Sequence, residues 1–246
     1  MRPAVLFAAV GAAAMGAAAA RFVAGTARAA EMPEGFTVTA HSGSMGLPDN
    51  SIEAMEAGVA AGADVVEFDL RYNAKGEPIL SHDEAEDAVP LSAVFAFLQA
   101  HPGVRANVDV KDTSHLETVE PLADACGVKD RLFYTGVREK DVPAVREKSP
   151  NIPYWLNADV PRALPLPGAY KKLIQKIRDL GAVGINLYHG PVTPAFVRAF
   201  HAAGLPVSVW TVNERRDILR MLAAKPDNIT SRKPDLVRAI LDARAR

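Results

Sequence analysis

The sequence predicts an α/β fold, a single (β/α)8 barrel of the TIM type. From Phe36 onward, short apolar runs alternate strictly with amphipathic stretches. Continuous apolar runs read as parallel strands buried on both faces, and runs with a 3.6-residue period read as the helices that cover them. Such alternation gives right-handed βαβ units around a parallel sheet. Eight strands in roughly 210 residues suit a barrel, whose usual length is ~200–250 residues. A doubly wound open sheet is the alternative, but its GxGxxG signal after the first strand is missing. His41-Ser42-Gly43-Ser44 stands there instead.

The expected strands are Phe36–Ala40, Ala63–Leu70, Arg105–Val110, Arg131–Thr135, Ile152–Asn157, Val183–Leu187, Pro206–Thr211 and Asn228–Thr230. The expected helices are Ser51–Ala61, Leu91–Ala100, Ser114–Ala125, Ala169–Leu180, Pro194–Ala203, Glu214–Ala224 and Pro234–Ala243. One extra strand, Pro78–His82, follows Ala74-Lys75-Gly76 and reads as a hairpin excursion returning from the second strand. Pro161–Pro167 (PRALPLP) reads as a loop rather than a domain linker.

With 246 residues, 49% of them apolar and 23% charged, the chain has globular composition, which argues against wholesale disorder and a polytopic membrane protein. A net charge of −1 supplies no broad basic footprint, so nucleic-acid binding is not expected. Nothing implies a specific protein partner, and a monomer or small homo-oligomer is expected. Cys126 is the one cysteine, which excludes an internal disulfide and a cysteine-based zinc site.

Residues 1–31 are expected to lie outside the barrel domain, which then runs over 32–246. Residues 3–20 are uncharged and mostly Ala, Gly and Val, and Ala27-Arg28-Ala29 offers an A-x-A cleavage pattern. This reads as an export signal, or as an uncleaved anchor, and favours an extracytoplasmic protein. If Met32 is the start instead, the protein is expected in the cytoplasm.

Catalytic groups of a barrel sit at the C-terminal ends of its strands, and polar residues gather there. The ends read Thr39-Ala40-His41, Glu67-Phe68-Asp69, Ser81-His82-Asp83, Asn107-Val108-Asp109-Val110-Lys111 and Trp210-Thr211-Val212-Asn213. Strand alternation puts Glu67 with Asp69 on one face, and Asn107, Asp109 and Lys111 on another. If both faces line the interior, three carboxylates converge at the mouth and repel one another. A hard divalent cation, Mg²⁺ or Ca²⁺, relieves that repulsion. A salt-bridge network closed by Lys111 and Arg71 is the alternative. His41 and His82 begin two of the loops and can act as an acid and a base near neutral pH. His101, His115 and His201 are expected at the surface, and His189 in a loop. Trp210 and Tyr188 form either an apolar wall of the pocket or ordinary packing.

Six segments in order, A40-H41-S42-G43, P48-D49-N50-S51, G62-A63-D64-V65-V66-E67-F68-D69, S81-H82-D83, N107-V108-D109-V110-K111 and V209-W210-T211-V212-N213, carry a resemblance over nearly all of 36–246. The chain resembles the glycerophosphodiester phosphodiesterase family, within the phospholipase-C-like barrel superfamily. The resemblance implies metal-dependent cleavage of a small glycerophosphodiester to glycerol 3-phosphate and an alcohol. It implies His41 and His82 as the acid/base pair and Glu67, Asp69 and Asp109 as metal ligands. It also implies Lys111 on the phosphate, with Asp49, Asn50 and Trp210 in the same substrate site. Attack by water and attack by a glycerol hydroxyl through a cyclic phosphate both fit these residues.

The chain departs from the family pattern in four places. Ser42 replaces an Arg that helps hold phosphate, and offers no charge. Asp49 and Ser51 replace Glu and Thr. Asp109 is a methylene shorter than the usual Glu. Thr-Asp-Arg-Pro appears as Thr230-Ser231-Arg232-Lys233-Pro234. The loss of that Arg at position 42 is consistent with a different diester, with slower turnover, or with phosphate contacts from another residue such as Arg71 or Lys111. Two other readings stand beside the hydrolase. A lipid phosphodiesterase calls for an apolar rim, and the loops Gly43–Leu47 and Leu164–Ala169 are only modestly apolar. A non-catalytic barrel that captures a phosphate ligand draws support from Ser42.

Overall fold

The computed structural model describes residues 31–160 and 167–245. The expected leader up to residue 30 and residues 161–166 of the PRALPLP loop, which include the first half of the Leu164–Ala169 loop, lie outside the described residues. Among the described residues, no helix is long and apolar enough to cross a membrane.

Runs rich in β-branched residues form the strands β1 (Thr37–Ala40), β2 (Val65–Tyr72), β3 (Pro78–Leu80), β4 (Arg105–Val110), β5 (Leu132–Thr135), β6 (Trp155–Asn157), β7 (Gly184–Tyr188), β8 (Val207–Trp210) and β9 (Asn228–Ser231). All but β3 run parallel, in the order β5-β4-β2-β1-β9-β8-β7-β6. A parallel bridge between Tyr134 and Tyr154 joins the two ends of that order. There the Tyr134 N–H donates to Pro153 C=O at 2.9 Å and the Asn157 N–H to Val137 C=O at 2.8 Å. The result is a nearly closed barrel, as the alternation predicts.

The helices are α1 (Ile52–Ala60), α2 (Leu91–Ala100), α3 (Val119–Ala125), α4 (Val142–Lys148), α5 (Pro167–Asp179), α6 (Pro194–His201), α7 (Arg215–Ala224) and α8 (Pro234–Ala245). Ser51 caps α1 by accepting the Ala54 N–H, and Thr193 caps α6 by accepting that of Phe196. Helix α4 is absent from the sequence reading. Two turns carrying only Val142 and Val145 as buried apolar residues are too short to show a period. The expected helix Ser114–Ala125 begins instead as a 3-10 turn, Leu116–Thr118. The expected strand Ile152–Asn157 shortens to β6, because Pro153 has no N–H to pair.

The hairpin after β2 forms as expected. Leu70 pairs antiparallel with Leu80 and Tyr72 with Pro78. The Asn73 side-chain oxygen accepts the N–H groups of Lys75 and Glu77, and Gly76 takes a left-handed conformation that favours glycine. This excursion brings His82 back over the C-terminal end of β2.

Strand alternation separates two interiors. Val66, Phe68 and Leu70 of β2, Ala106, Val108 and Val110 of β4, and Ile185 and Leu187 of β7 join the apolar core beneath the helices. Their neighbours face the barrel interior, where polar residues predominate beside a few apolar ones such as Val65 and Phe133. Asn228 of β9 ties this layer together. Its oxygen accepts the hydroxyls of Thr37 (2.9 Å) and Thr39 (2.7 Å), and its amide donates to Ser208 (2.9 Å) and Thr230 (3.2 Å). Branched aliphatic side chains usually fill this space. Here a satisfied hydrogen-bond network does, which costs little only while every member keeps a partner. At the opposite end from the site, Asp64 and Asp227 brace the strand starts by accepting the N–H groups of Val38 and Val207.

Asn228→Ala strands several buried hydroxyls at once. It is expected to lower stability by about 2–3 kcal/mol, read by urea denaturation, whereas a loss below ~0.5 kcal/mol would show that the network does not hold the interior.

Candidate active site

The parallel register sets the centre of the site. Asp69 on β2 lies directly beside Asp109 on β4, and Glu67 beside Asn107. Oxygen atoms of Glu67, Asp69 and Asp109 all lie within 4.8 Å of one another. The one ammonium among them is Lys111, whose Nζ is 3.1 Å from Asp69 and 2.5 Å from Asp109. Burial works against that ammonium, and the carboxylates of Asp109 and Asp69 outweigh it, holding its pKa above the usual lysine range. Glu67 is 5% exposed. Its carboxyl is pushed well above the usual carboxylate range, first by burial and then by the charges of Asp69 and Asp109.

Three carboxylates share one ammonium, so negative charge is in excess. The donors are hard oxygens, converging on one point. That set fits a divalent cation such as Mg²⁺ or Ca²⁺, and Glu67, Asp69 and Asp109 are the residues that would hold it. The salt-bridge alternative is half present. Lys111 takes part, but Arg71 does not, because its Nε donates to the His82 carbonyl at 2.8 Å. Nor does Arg71 line the cavity, so it does not supply the charge missing at Ser42.

His41 follows β1 and stands against this cluster. Its Nδ1 is 3.1 Å from the Ser42 hydroxyl and 3.8 Å from Glu67. Burial lowers its pKa, and the Arg232 guanidinium lowers it further. His41 is therefore neutral at neutral pH. His82 comes from the hairpin and is mostly exposed, with Nδ1 3.1 Å from Asp83. Both imidazoles line one cavity of about 680 Å³, together with Glu67, Asp69, Asp109, Lys111, Asp49 and Trp210. Tyr188 does not line it, but packs edge-on against Trp210 with ring centres 6.2 Å apart.

Asp49 and Asn50 do different work. Asn50, in a left-handed conformation, turns both halves of its amide to Asp69. It donates to the carboxylate and accepts the Asp69 N–H, each at 2.9 Å. It thus stands behind Asp69 and does not line the cavity. Asp49 lines the wall and pairs with Arg232 at 2.7 Å. The Arg232 hydrogen bond is the main cause of its lowered pKa. Gly43 explains itself here, since a Cβ at that position would strike Asp49 and Arg232.

Sequence reasoning missed Arg232, Arg138, Lys140 and Asn186, all on the cavity wall. Arg232 and Arg138 each follow the end of a strand, so the strand-end rule would have pointed to both. Arg232 is steered by Asn213, whose oxygen accepts the Arg232 N–H at 2.8 Å. Among the other histidines, His189 lies in its loop as expected, is buried, and does not line the cavity, with Nδ1 2.6 Å from Arg220. His101 stacks on Phe97 and His201 pairs with Asp227 at 2.8 Å. His115 packs edge-on against Tyr72.

The model of the "Glycerophosphoryl diester phosphodiesterase family" matches residues 41–117 and 91–236. A Mycobacterium tuberculosis protein named "Probable glycerophosphodiester phosphodiesterase 2" is 27% identical over 251 aligned residues, covering 85% of this chain and 92% of its own. A glycerophosphodiester phosphodiesterase from Parabacteroides distasonis has a similar solved structure, with a TM-score of 0.70 at 17% identity, over 85% of this chain and 98% of its own. An Oleispira antarctica phosphodiesterase, solved with the product sn-glycerol-3-phosphate, superposes with a TM-score of 0.64 at 17% identity, over 86% of this chain and 97% of its own. These structures share the barrel fold.

Mg²⁺ or Ca²⁺ at a hundredfold excess over its Kd is expected to stabilise the protein by about 2.7 kcal/mol, and Glu67→Gln to abolish that response. In EDTA the unsubstituted chain should lose stability as pH rises above 4.5, the ordinary value for this group, because the folded state retains a proton on Glu67 that the unfolded chain releases. The glutamine variant should show a shallower slope. Denaturation with and without ion, from about pH 4.5 to pH 8, checks both; no ion response in the unsubstituted chain would count against a metal at this cluster.

Proposed function

This chain belongs to the glycerophosphoryl diester phosphodiesterase family, and on that premise we propose that it is a phosphoric diester hydrolase converting glycerophosphodiesters to glycerol 3-phosphate and an alcohol. The observation that carries the reading is the placement of two imidazoles, three converging carboxylates and Lys111 on one cavity. Binding alone has no need of an acid/base pair beside such a cluster.

The chemistry divides among these residues. A phosphodiester anion repels nucleophiles, so hydrolysis needs charge neutralisation and a proton for the leaving oxygen. A divalent cation held by Glu67, Asp69 and Asp109 would neutralise charge on the phosphoryl oxygens. Lys111 and Arg232 add fixed positive charge to the same cavity from different sides, and Arg232 takes the part that Ser42 cannot. His41, kept neutral by burial and Arg232, accepts the proton of the attacking hydroxyl. His82, at the open rim, gives a proton to the departing alkoxide. One P–O bond forms and one breaks. Over the whole reaction one water is consumed, whether it attacks first or opens a cyclic phosphate. Exposed Met45 and Leu47 on the Gly43–Leu47 loop are a small apolar feature beside the mouth, so a soluble diester fits better than an intact phospholipid.

Ser42 favours a second reading, a barrel that binds a phosphate ligand without turnover. The full chain is to be incubated with glycerophosphocholine or glycerophosphoethanolamine, with Mg²⁺, Ca²⁺ or EDTA, and glycerol 3-phosphate detected. Ion-dependent release is expected, with kcat falling about 10²–10⁴-fold in His41→Ala and in His82→Ala. Arg232→Ala should raise KM about tenfold or more, as loss of a charged hydrogen bond does. Binding of glycerol 3-phosphate with no release under any ion would sink the hydrolase in favour of the second reading.

A further inference from the structure

The loop that follows β5 sends its charges two ways. Arg138 and Lys140 line the cavity, and Glu139 between them does not. Glu139 pairs outward with Lys176 of α5 at 2.6 Å. The turn that sorts them is tied down. Gly136 donates its N–H to Asn157 and lies so close to β4 that a Cβ there would meet Asp109 and the Val110 backbone. Val137 is buried, and its carbonyl accepts the Asn157 N–H at 2.8 Å. The Arg138 N–H donates to the Asp141 carboxylate at 3.1 Å, and the Arg138 carbonyl accepts the Asp141 N–H at 2.9 Å.

The cations on the cavity wall fall into two classes. Lys111 is held by Asp69 and Asp109, and Arg232 by Asp49. Arg138 and Lys140 are exposed, and neither side chain has a hydrogen-bond or ion-pair partner among the described residues. Asp112 and Asp141 line the same cavity, but each turns an oxygen to a backbone N–H, of Ser114 and Arg138 respectively. Cations on an outer face are ordinarily solvated and need no partner. These two face a concave site rich in carboxylates and are still left unpaired, which suits a negative charge brought in by a ligand.

Their place in the ring says which part of a ligand carries it. The order β5-β4-β2-β1-β9 sets Arg138 and Lys140 on one side of the carboxylates and Arg232 on the other. The glycerol arm of a glycerophosphodiester is uncharged, so any second anion belongs to the alcohol arm. His82, which protonates the departing alkoxide in the proposed reaction, comes from the hairpin on β2, on the same arc as β5. We propose that Arg138 and Lys140 form an anion-recognising rim that selects diesters whose alcohol arm bears a second phosphate, either as a terminal group or within a longer phosphodiester chain. The attraction is coulombic, so it does not require both cations to touch one oxygen. The proposal rests on the hydrolase reading for the identity of the two arms.

Binding is measured first, with ligands that are not diesters. Propyl phosphate and propane-1,3-diyl bisphosphate are titrated calorimetrically into the full chain, with Mg²⁺ or Ca²⁺ in excess, at low and high salt. The double variant Arg138→Gln with Lys140→Gln is titrated in parallel, and both positions are exposed, so the fold is kept. Glu139→Gln, which faces away, is the control. The unsubstituted chain is expected to prefer the bisphosphate by about tenfold or more, less so at high salt, and the double variant to lose most of that preference while binding propyl phosphate within about twofold of the unsubstituted chain. Glu139→Gln should change neither. A preference unchanged in the double variant, equal losses for both ligands, or no preference in the unsubstituted chain would overturn the rim. Turnover is measured second, on glycerophosphoglycerol, its terminal phosphomonoester and a glycerol phosphate oligomer. A higher kcat/KM for the phosphomonoester assigns a terminal phosphate, and one for the oligomer an internal phosphate. A gain for neither overturns the substrate class. If the bisphosphate preference is lost in the double variant while no diester is cleaved, the rim stands and the hydrolase reading falls. If diesters are cleaved but the preference ignores the substitutions, the reverse holds.

Discussion

Mutual repulsion among Glu67, Asp69 and Asp109 is the constraint around which the rest of the site is arranged. Their oxygens converge within 4.8 Å, beside a single ammonium. Like charges this close in a buried setting raise one another's pKa values and weaken the fold unless something offsets them. Each neighbour is a partial answer. Lys111 bridges Asp69 and Asp109. Asn50 gives Asp69 a neutral donor and the Ser42 N–H gives Glu67 another. The Thr135 hydroxyl, with its one hydrogen, lies 3.1 Å from Asp109 and 2.7 Å from Asn107 and is shared between them. None of these removes the excess of negative charge, which is why the cluster suits a cation and not merely a salt bridge.

The same constraint accounts for the cations and glycines at the mouth. Arg232 stands beside His41 and is held by Asp49 and Asn213, each from a different loop. Gly43 leaves the space through which the Asp49–Arg232 pair passes, and a Cβ at Gly136 would meet Asp109. These glycines are conditions for close approach at the site, not features of the turns alone. The positive charge at the mouth is thus delivered from the end of β9, at the opposite end of the barrel sequence from Ser42 but adjacent to it in the ring, because β1 and β9 pair.

The barrel interior is unusual for its polarity. A network centred on Asn228 fills the layer under β1, β8 and β9, and the Gly136–Asn157–Asn186 chain continues on β6 and β7. The apolar driving force lies between strands and helices, where nearly all of the largest buried side chains sit. Stability and function are therefore assigned to opposite faces of the same strands. One residue step decides which face a side chain serves.

Much was legible in the sequence because it depends on local period and order. Alternating apolar runs and amphipathic stretches determined the barrel. Parity determined that Glu67 shares a face with Asp69, and Asp109 with Lys111. The hairpin was written in Ala74-Lys75-Gly76 and the return run to His82. Helix α4 was not legible, since two short turns carry too few apolar residues to show a period. What only the tertiary structure decided is everything that needs two distant segments to meet. The register Asp69 beside Asp109, the exclusion of Arg71 by the His82 carbonyl, and the pairing of Arg232 with Asp49 are of this kind. A sequence states which groups a strand carries to its end. The closure of the barrel sets which of those groups face each other, because lateral pairing and not chain distance fixes who the neighbours are.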